Sequence, residues 1–298
     1  MHKYLKIIFV FGTSALILAC SLAGTPTVPT GNVSTIVAAT LQSLASATPE
    51  IAQASPTTAP QGVSVSYSNV NFVVPKDLAS GASSQTIPAT DEQNSGPWGV
   101  APQHLEFKLN DYNLSPGYFS EILIDVYPAQ DYANAYAGAN ISLQRLQALL
   151  SNPSTPLTNE NLPQVPYFNA ASMFAAQVKF IQFNSGSGVR MITQYGQAVG
   201  PVANNGTFYH FEGLTSDGKY YIVAVLPIEA KFLANGNDPS AQLPADGIPF
   251  PGYNYTDISY YDKYFKAVTD KMNATSDGSF APSLGTLDSL IQSLKVSQ

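Results

Sequence analysis

Residues 208–227 read FYHFEGLTSDGKYYIVAVLP. Two apolar-rich runs, 208–212 and 220–225, flank Thr215-Ser216-Asp217-Gly218, where Asp-Gly supplies the positive φ of a tight hairpin. The stretch before it repeats the plan: 178–183 (VKFIQF) and 189–195 (VRMITQY) flank Asn184-Ser185-Gly186-Ser187-Gly188. Four consecutive strands on short loops must be antiparallel, because parallel neighbours need crossovers of a dozen residues or more. If 215–218 form a four-residue loop, Val223 and Tyr221 become the cross-strand neighbours of His210 and Glu212.

Outward from this hairpin the periods alternate between strand and helix. In His104-Leu105-Glu106-Phe107-Lys108-Leu109 the apolar residues fall on odd positions, which predicts one buried face and one wet face carrying His104, Glu106 and Lys108. Ile122, Ile124 and Val126 repeat the pattern up to Pro128, and Val63, Val65, Tyr67 and the run 70–75 add two extended segments near the start. Residues 76–103 show no period. The spacing of Tyr132, Ala135, Tyr136, Ala139, Leu143, Leu146, Leu149 and Leu150 predicts one helix over 130–150, weakened at Gly138. Further helices are predicted over 257–274, burying Ile258, Tyr261, Phe265, Val268 and Met272, and from 283, burying Leu287, Leu290, Ile291 and Leu294. Strands and helices are segregated, so the fold class is α+β: one antiparallel sheet of six to eight strands against two or three helices. A span of about 235 residues over 63–298 fits one domain; two small domains divided near 152–172 are the alternative.

Hydrophobic residues make up 45% of the 298, enough for a packed core, whereas charged residues make up only 11%. With 13 Lys+Arg against 20 Asp+Glu the net charge is −7, which excludes nucleic acid as a partner. The single cysteine excludes an internal disulfide. No HExxH, GxSxG, Walker A, GxGxxG or EF-hand string occurs, so no cofactor or metal is implied.

The N-terminus reads MHKYLKIIFVFGTSALILAC. Lys3 and Lys6 precede an apolar run from Ile7 to Ala19, too short for a spanning helix of about 20 residues but suited to a signal peptide over 1–19. Its end, Ile17-Leu18-Ala19-Cys20, resembles the lipobox of bacterial lipoproteins. That resemblance implies cleavage before Cys20, lipidation of its thiol, and a domain held by lipid on the extracytoplasmic side of the cell membrane or outer membrane. Buried acyl chains contribute about 0.8 kcal/mol per methylene, so two or three anchor stably. Residues 20–62 are crowded with Ser, Thr, Ala and Pro and carry one charge, Glu50, which predicts a tether with a reach of roughly 35 Å.

The lipobox, this tether, the opening GVSVSYSNVNFVVP and the segments SGSGVRMITQY and FYHFEGLTSDGKYYIVAVLP together resemble a family of bacterial lipoproteins to which no activity is assigned. The strand ending in proline, the late hairpins and the closing helices are also similar to PsbP/Mog1-like domains. That likeness implies an antiparallel sheet against helices that serves as a binding or accessory module.

Once Cys20 carries lipid, the imidazoles left for chemistry are His104 and His210. His210 and Glu212, two residues apart on one strand face, are the candidates for catalysis, as a base with its orienting carboxylate or as two metal ligands awaiting His104. The plain alternative is a polar cross-strand cluster. Glu121 and Asp125 also share a face, but four residues of strand put them about 13 Å apart, too far for the paired carboxylates of a glycosidase. Trp98, Tyr253 and Tyr255 fall in loops, where an apolar ring with a polar edge suits a protein or carbohydrate ligand. The expectation is a non-enzymatic binding module of the envelope. An envelope hydrolase acting on polysaccharide or peptide is the alternative.

Overall fold

A computed structural model describes residues 61–95, 99–117, 119–165, 170–253, 257 and 259–297. These residues all belong to one unit, 58–298. The signal-like segment, Cys20 and the tether up to residue 60 lie outside the described residues.

The four strands deciding the fold are β7 (Ala176–Phe183), β8 (Gly186–Gly196), β9 (Thr207–Thr215) and β10 (Tyr220–Pro227), and they form an antiparallel meander. A second meander, β3 (Gly81–Ile87), β4 (His104–Asn110) and β5 (Leu123–Pro128), joins it through β5 and β10. With the two-residue β6 (Ala171–Ser172) continuing the β7 edge along β8, this makes an eight-stranded sheet. The α+β class expected from the segregated periods is therefore observed.

Because β5 pairs with β10, the last strand of the β7–β10 meander, the chain must cross a whole sheet face to begin β6 and β7. It does so through α1 (Ala129–Ala135), α2 (Ala137–Ser151) and the loop beyond. The expected single helix over 130–150 is thus two. The break is at Tyr136, whose φ of −142° and ψ of 121° are extended, and it lets Tyr132 and Ala133 before it and Ala139, Leu143 and Leu146 after it all face inward. They pack on Val189, Met191, Phe208, Tyr221 and Val225. The opposite face (Phe107, Ile124, Ile192, Phe211, Ile222, Ala224) is covered by α3 (Ser259–Ala274) and α4 (Leu284–Gln292). Ser283 caps α4 by accepting from the Thr286 N–H, as a serine before an apolar helix should.

Three further expectations are corrected. First, the opening hairpin, β1 (Gly62–Tyr67) and β2 (Val70–Pro75), does not join the main sheet; with β13 (Lys295–Val296) it forms a separate three-stranded sheet. The cause is the Phe72 ring, which packs edge-on to Phe107 at 5.2 Å and lays the hairpin over the sheet. A third, two-stranded sheet joins β11 (Glu229–Ala230) to β12 (Phe280–Ala281). Second, β3 (GASSQTI) lies in a stretch that shows no period, because as an edge strand of small and polar residues it leaves most of its length exposed. Third, the β9–β10 loop is 216–219, so Glu212 pairs with Val223 and His210 with Val225, two residues from the expected register. The Asp217 carboxylate sets this loop by accepting from the Thr215 hydroxyl and the Lys219 N–H, while the Thr215 hydroxyl accepts from the Tyr220 N–H.

Two local features fix the sheet edge. Gly188 and Gly213 pair across β8 and β9, and the Phe211 ring lies over both, within 2.6 Å of where either Cβ would stand. At Gln177 (φ 53°) the β7–β8 register shifts, and the bulged residue turns to the C-terminus of α3. There its N–H donates to Asn273 Oδ1 at 2.6 Å and its side-chain amide to the carbonyls of Met272 and Thr275.

Candidate functional site

Antiparallel register places three rows of side chains across β4, β5, β10 and β9 beneath α1. One row runs His104, Tyr127, Tyr221; the next runs Glu106, Asp125, Val223, Glu212; the third runs Lys108, Leu123, Val225, His210. Above these rows the packing leaves a cavity of about 320 Å³, walled by Tyr132 of α1, Val165 of the crossover loop, Ile87 at the end of β3, and Thr90 and Ala101 of the loop between β3 and β4. The row expected to be solvated is therefore covered: His104 and Glu106 are each only 9% exposed, because the crossover roofs the face the alternation alone would leave wet.

The polar groups of the cavity are fixed one by one. His104 Nδ1 donates to the Pro102 carbonyl at 2.8 Å, so Nε2 is left as an acceptor. Burial lowers the His104 pKa, opposed by that carbonyl bond and by the charge of Glu106. Its ring lies 4.4 Å from Tyr127, which stacks on Tyr132 at 4.1 Å and 16°, giving a continuous aromatic wall. Gln85 donates to Glu106 Oε1 at 2.6 Å, and Lys108 Nζ lies 3.5 Å from the same oxygen.

Asp125 is the most perturbed carboxyl of the wall. Its Oδ2 accepts from the Tyr127 hydroxyl at 2.8 Å, while Oδ1 is buried with no hydrogen-bond partner. Burial pushes its pKa up to about 8, with the negative charges of Glu106 and Glu121 adding and the Tyr127 bond opposing. At neutral pH the Asp125 carboxyl is protonated. Burial likewise raises the Tyr132 phenol, reinforced by Glu212 and Asp125.

His210 and Glu212, the candidates for catalysis, are brought together and sealed. His210 Nε2 is 3.0 Å from Glu212 Oε1, out of line for a hydrogen bond, and the two side chains are 1% and 0% exposed. Glu212 Oε1 accepts from the Val165 N–H at 2.6 Å and Oε2 from the Tyr221 hydroxyl. The Tyr195 hydroxyl donates to the Val165 carbonyl at 3.0 Å and lies 3.3 Å from His210 Nδ1. The pair thus ties the crossover loop to the sheet, and His210 borders the cavity at its buried end. His104 is not part of this cluster: it stands on β4, three strands from β9 and so about 14 Å away. Among the described residues no group of three or more His, Cys, Asp or Glu is placed to hold a metal ion.

The aromatic candidates go elsewhere. Tyr253, 52% exposed, borders a separate cavity of about 420 Å³ with Phe119, Met173 and Tyr195, and packs edge-on to Phe250 at 5.3 Å. Trp98 and Tyr255 lie outside the described residues, as does Cys20. Among the described residues no helix is long and apolar enough to cross a membrane.

Sequence reasoning sees Asp125 only against Glu121 on its own strand. The missing partner, Glu106, lies directly opposite on β4, a pairing that depends on a register no local motif encodes. Compared with protein-family models, curated proteins and solved structures, the chain matches none of them.

Proposed function

We propose that residues 63–298 form a ligand-binding module held outside the cytoplasm by lipid on Cys20 and a tether over 20–62, as a lipoprotein of the cell envelope. The observation that carries the binding reading is the cavity itself: a preformed space under α1, with an aromatic wall and a few polar groups fixed in place, as ligand sites usually have. The Glu212 carboxylate supports the same reading, because both its oxygens are committed to the fold rather than offered to a substrate. A thermal-shift screen of the full chain in detergent against envelope glycans, peptides and small metabolites tests it. The expected result is a stabilising ligand whose effect disappears in Val223→Trp, which fills the cavity between Asp125 and Glu212.

Hydrolysis of an envelope polymer is the second reading, favoured by one observation: Asp125 holds a proton at neutral pH beside Glu106, as an acid catalyst would. Turnover of envelope polysaccharide or peptide that vanishes in Asp125→Asn or His210→Ala would replace the binding reading. For the anchor, Cys20→Ser is expected to abolish acyl labelling; a labelled variant overturns the assignment.

A further inference from the structure

We infer that the cavity under α1 is a site for a small organic ammonium ion, whose N–H groups bond Asp125 Oδ1 and Glu106 while its alkyl or aryl part lies on Tyr127 and Tyr132. This rests on the binding reading above and names the ligand class. Carboxyl groups outnumber cations on the wall. Glu106, Glu121 and Asp125 line it against the single cation Lys108, and His104 adds Nε2 as an acceptor because Nδ1 is spent on Pro102. An ammonium supplies only donors, which the Glu106 and Glu121 carboxylates and His104 Nε2 can accept.

Two features point further. Lys108 already places an alkylammonium 3.5 Å from Glu106 Oε1, whereas Asp125 Oδ1 has no partner although the residue is only 8% exposed. Tyr127 and Tyr132 place apolar ring surface beside that carboxyl for the organic part of the cation. The net charge of −7 also raises the local concentration of cations.

Binding has a stoichiometric consequence. Without a bound cation Asp125 carries a proton; the ammonium takes its place at the carboxylate, and that proton leaves to solvent. The groups facing Asp125 are Glu106 and Lys108 from β4, Glu121 and Tyr127 from its own segment, His210 from β9 and Tyr132 from α1. Its pKa of about 8 sets the window: apparent affinity rises about tenfold per pH unit from 6 to 8, then levels.

Calorimetric titration of the full chain in detergent tests this, with 1,4-diaminobutane and phenethylamine against their neutral counterparts 1,4-butanediol and 2-phenylethanol. The amines are expected to bind at least thirtyfold more tightly than the alcohols. About one proton should leave per ligand at pH 6–7, read from buffers of different ionisation heat, and none above pH 9. Asp125→Asn, which preserves shape, should keep its melting cooperativity and lose at least tenfold in affinity together with the proton release. Equal binding of amine and alcohol, or unchanged binding to Asp125→Asn, overturns the inference. If neutral saccharides bind and amines do not, the ligand class falls while the cavity reading stands; if neither binds, both fall.

Discussion

Glu106 and Asp125 stand directly opposite each other on β4 and β5, on the sheet face that the crossover covers. Charging Asp125 there is costly, so its proton is held up to about pH 8. The unfolded chain releases that proton near pH 4. Between these values the folded state binds more protons than the unfolded one, so this residue's contribution to stability is fully present below about pH 4 and is lost as pH rises to about 8. Asp125→Asn, which cannot ionise, is expected to melt at or slightly below the wild type at pH 4.5 and above it at pH 8. Melting temperature against pH for both proteins checks this; parallel curves would show that Asp125 ionises normally.

Glu212→Ala strands the Val165 N–H and the Tyr221 hydroxyl inside the protein. Each buried orphan costs about 1–3 kcal/mol, so a loss of about 3–5 kcal/mol is expected from urea denaturation. Glu212→Gln keeps an acceptor and should cost about half as much. Limited proteolysis should cut the loop near Val165 faster in the alanine variant.

On the other face, Asp288 of α4 is 4% exposed and faces Arg190 Nε at 3.4 Å, Lys179 Nζ at 3.2 Å and the Tyr209 hydroxyl at 3.1 Å. The Arg190 guanidinium is fully enclosed, with Nη1 donating to the Gln177 carbonyl at 2.7 Å. Asp288→Ala leaves that cation unpaired and is expected to cost about 3–5 kcal/mol, whereas pairing Arg190→Met with Asp288→Leu should recover most of the loss. Lys179, half exposed, should contribute under about 1 kcal/mol when replaced by alanine. Chemical denaturation of the three variants separates these cases.

Gly188→Ala would drive a Cβ to 2.3 Å from the Glu212 carbonyl oxygen and 2.6 Å from the Phe211 ring. Backbone and a packed ring cannot yield cheaply, so a cost of about 2–3 kcal/mol is expected. Gly200→Ala, with nothing within 4 Å, serves as the control and should stay within about 0.5 kcal/mol.

Local pattern carries much of this fold. The β7–β10 meander follows from alternation and turn residues, and the Ser283 cap with Leu287, Leu290 and Ile291 announces α4. What local pattern omits is long-range. The alternation in β4 announces a buried odd face; that the even face is also covered depends on where α1 and α2 land. The break at Tyr136 preserves one apolar stripe through two helices, so the stripe alone reads as a single rod. For the site, His210 and Glu212 are legible as a pair because they share a strand. Asp125 with Glu106 is not, since two strands must first find their register.

The pairing of β13 with β2 has a temporal consequence. Asn69 and Ser297, 228 residues apart, exchange hydrogen bonds through the Asn69 side chain and the Ser297 N–H. One edge of β2 therefore stays open until residues 295–297 have left the ribosome. Until then a nascent chain exposes a sticky ribbon edge to its neighbours, which makes the arrival of β13, rather than collapse of the early hairpin, the moment at which aggregation is averted.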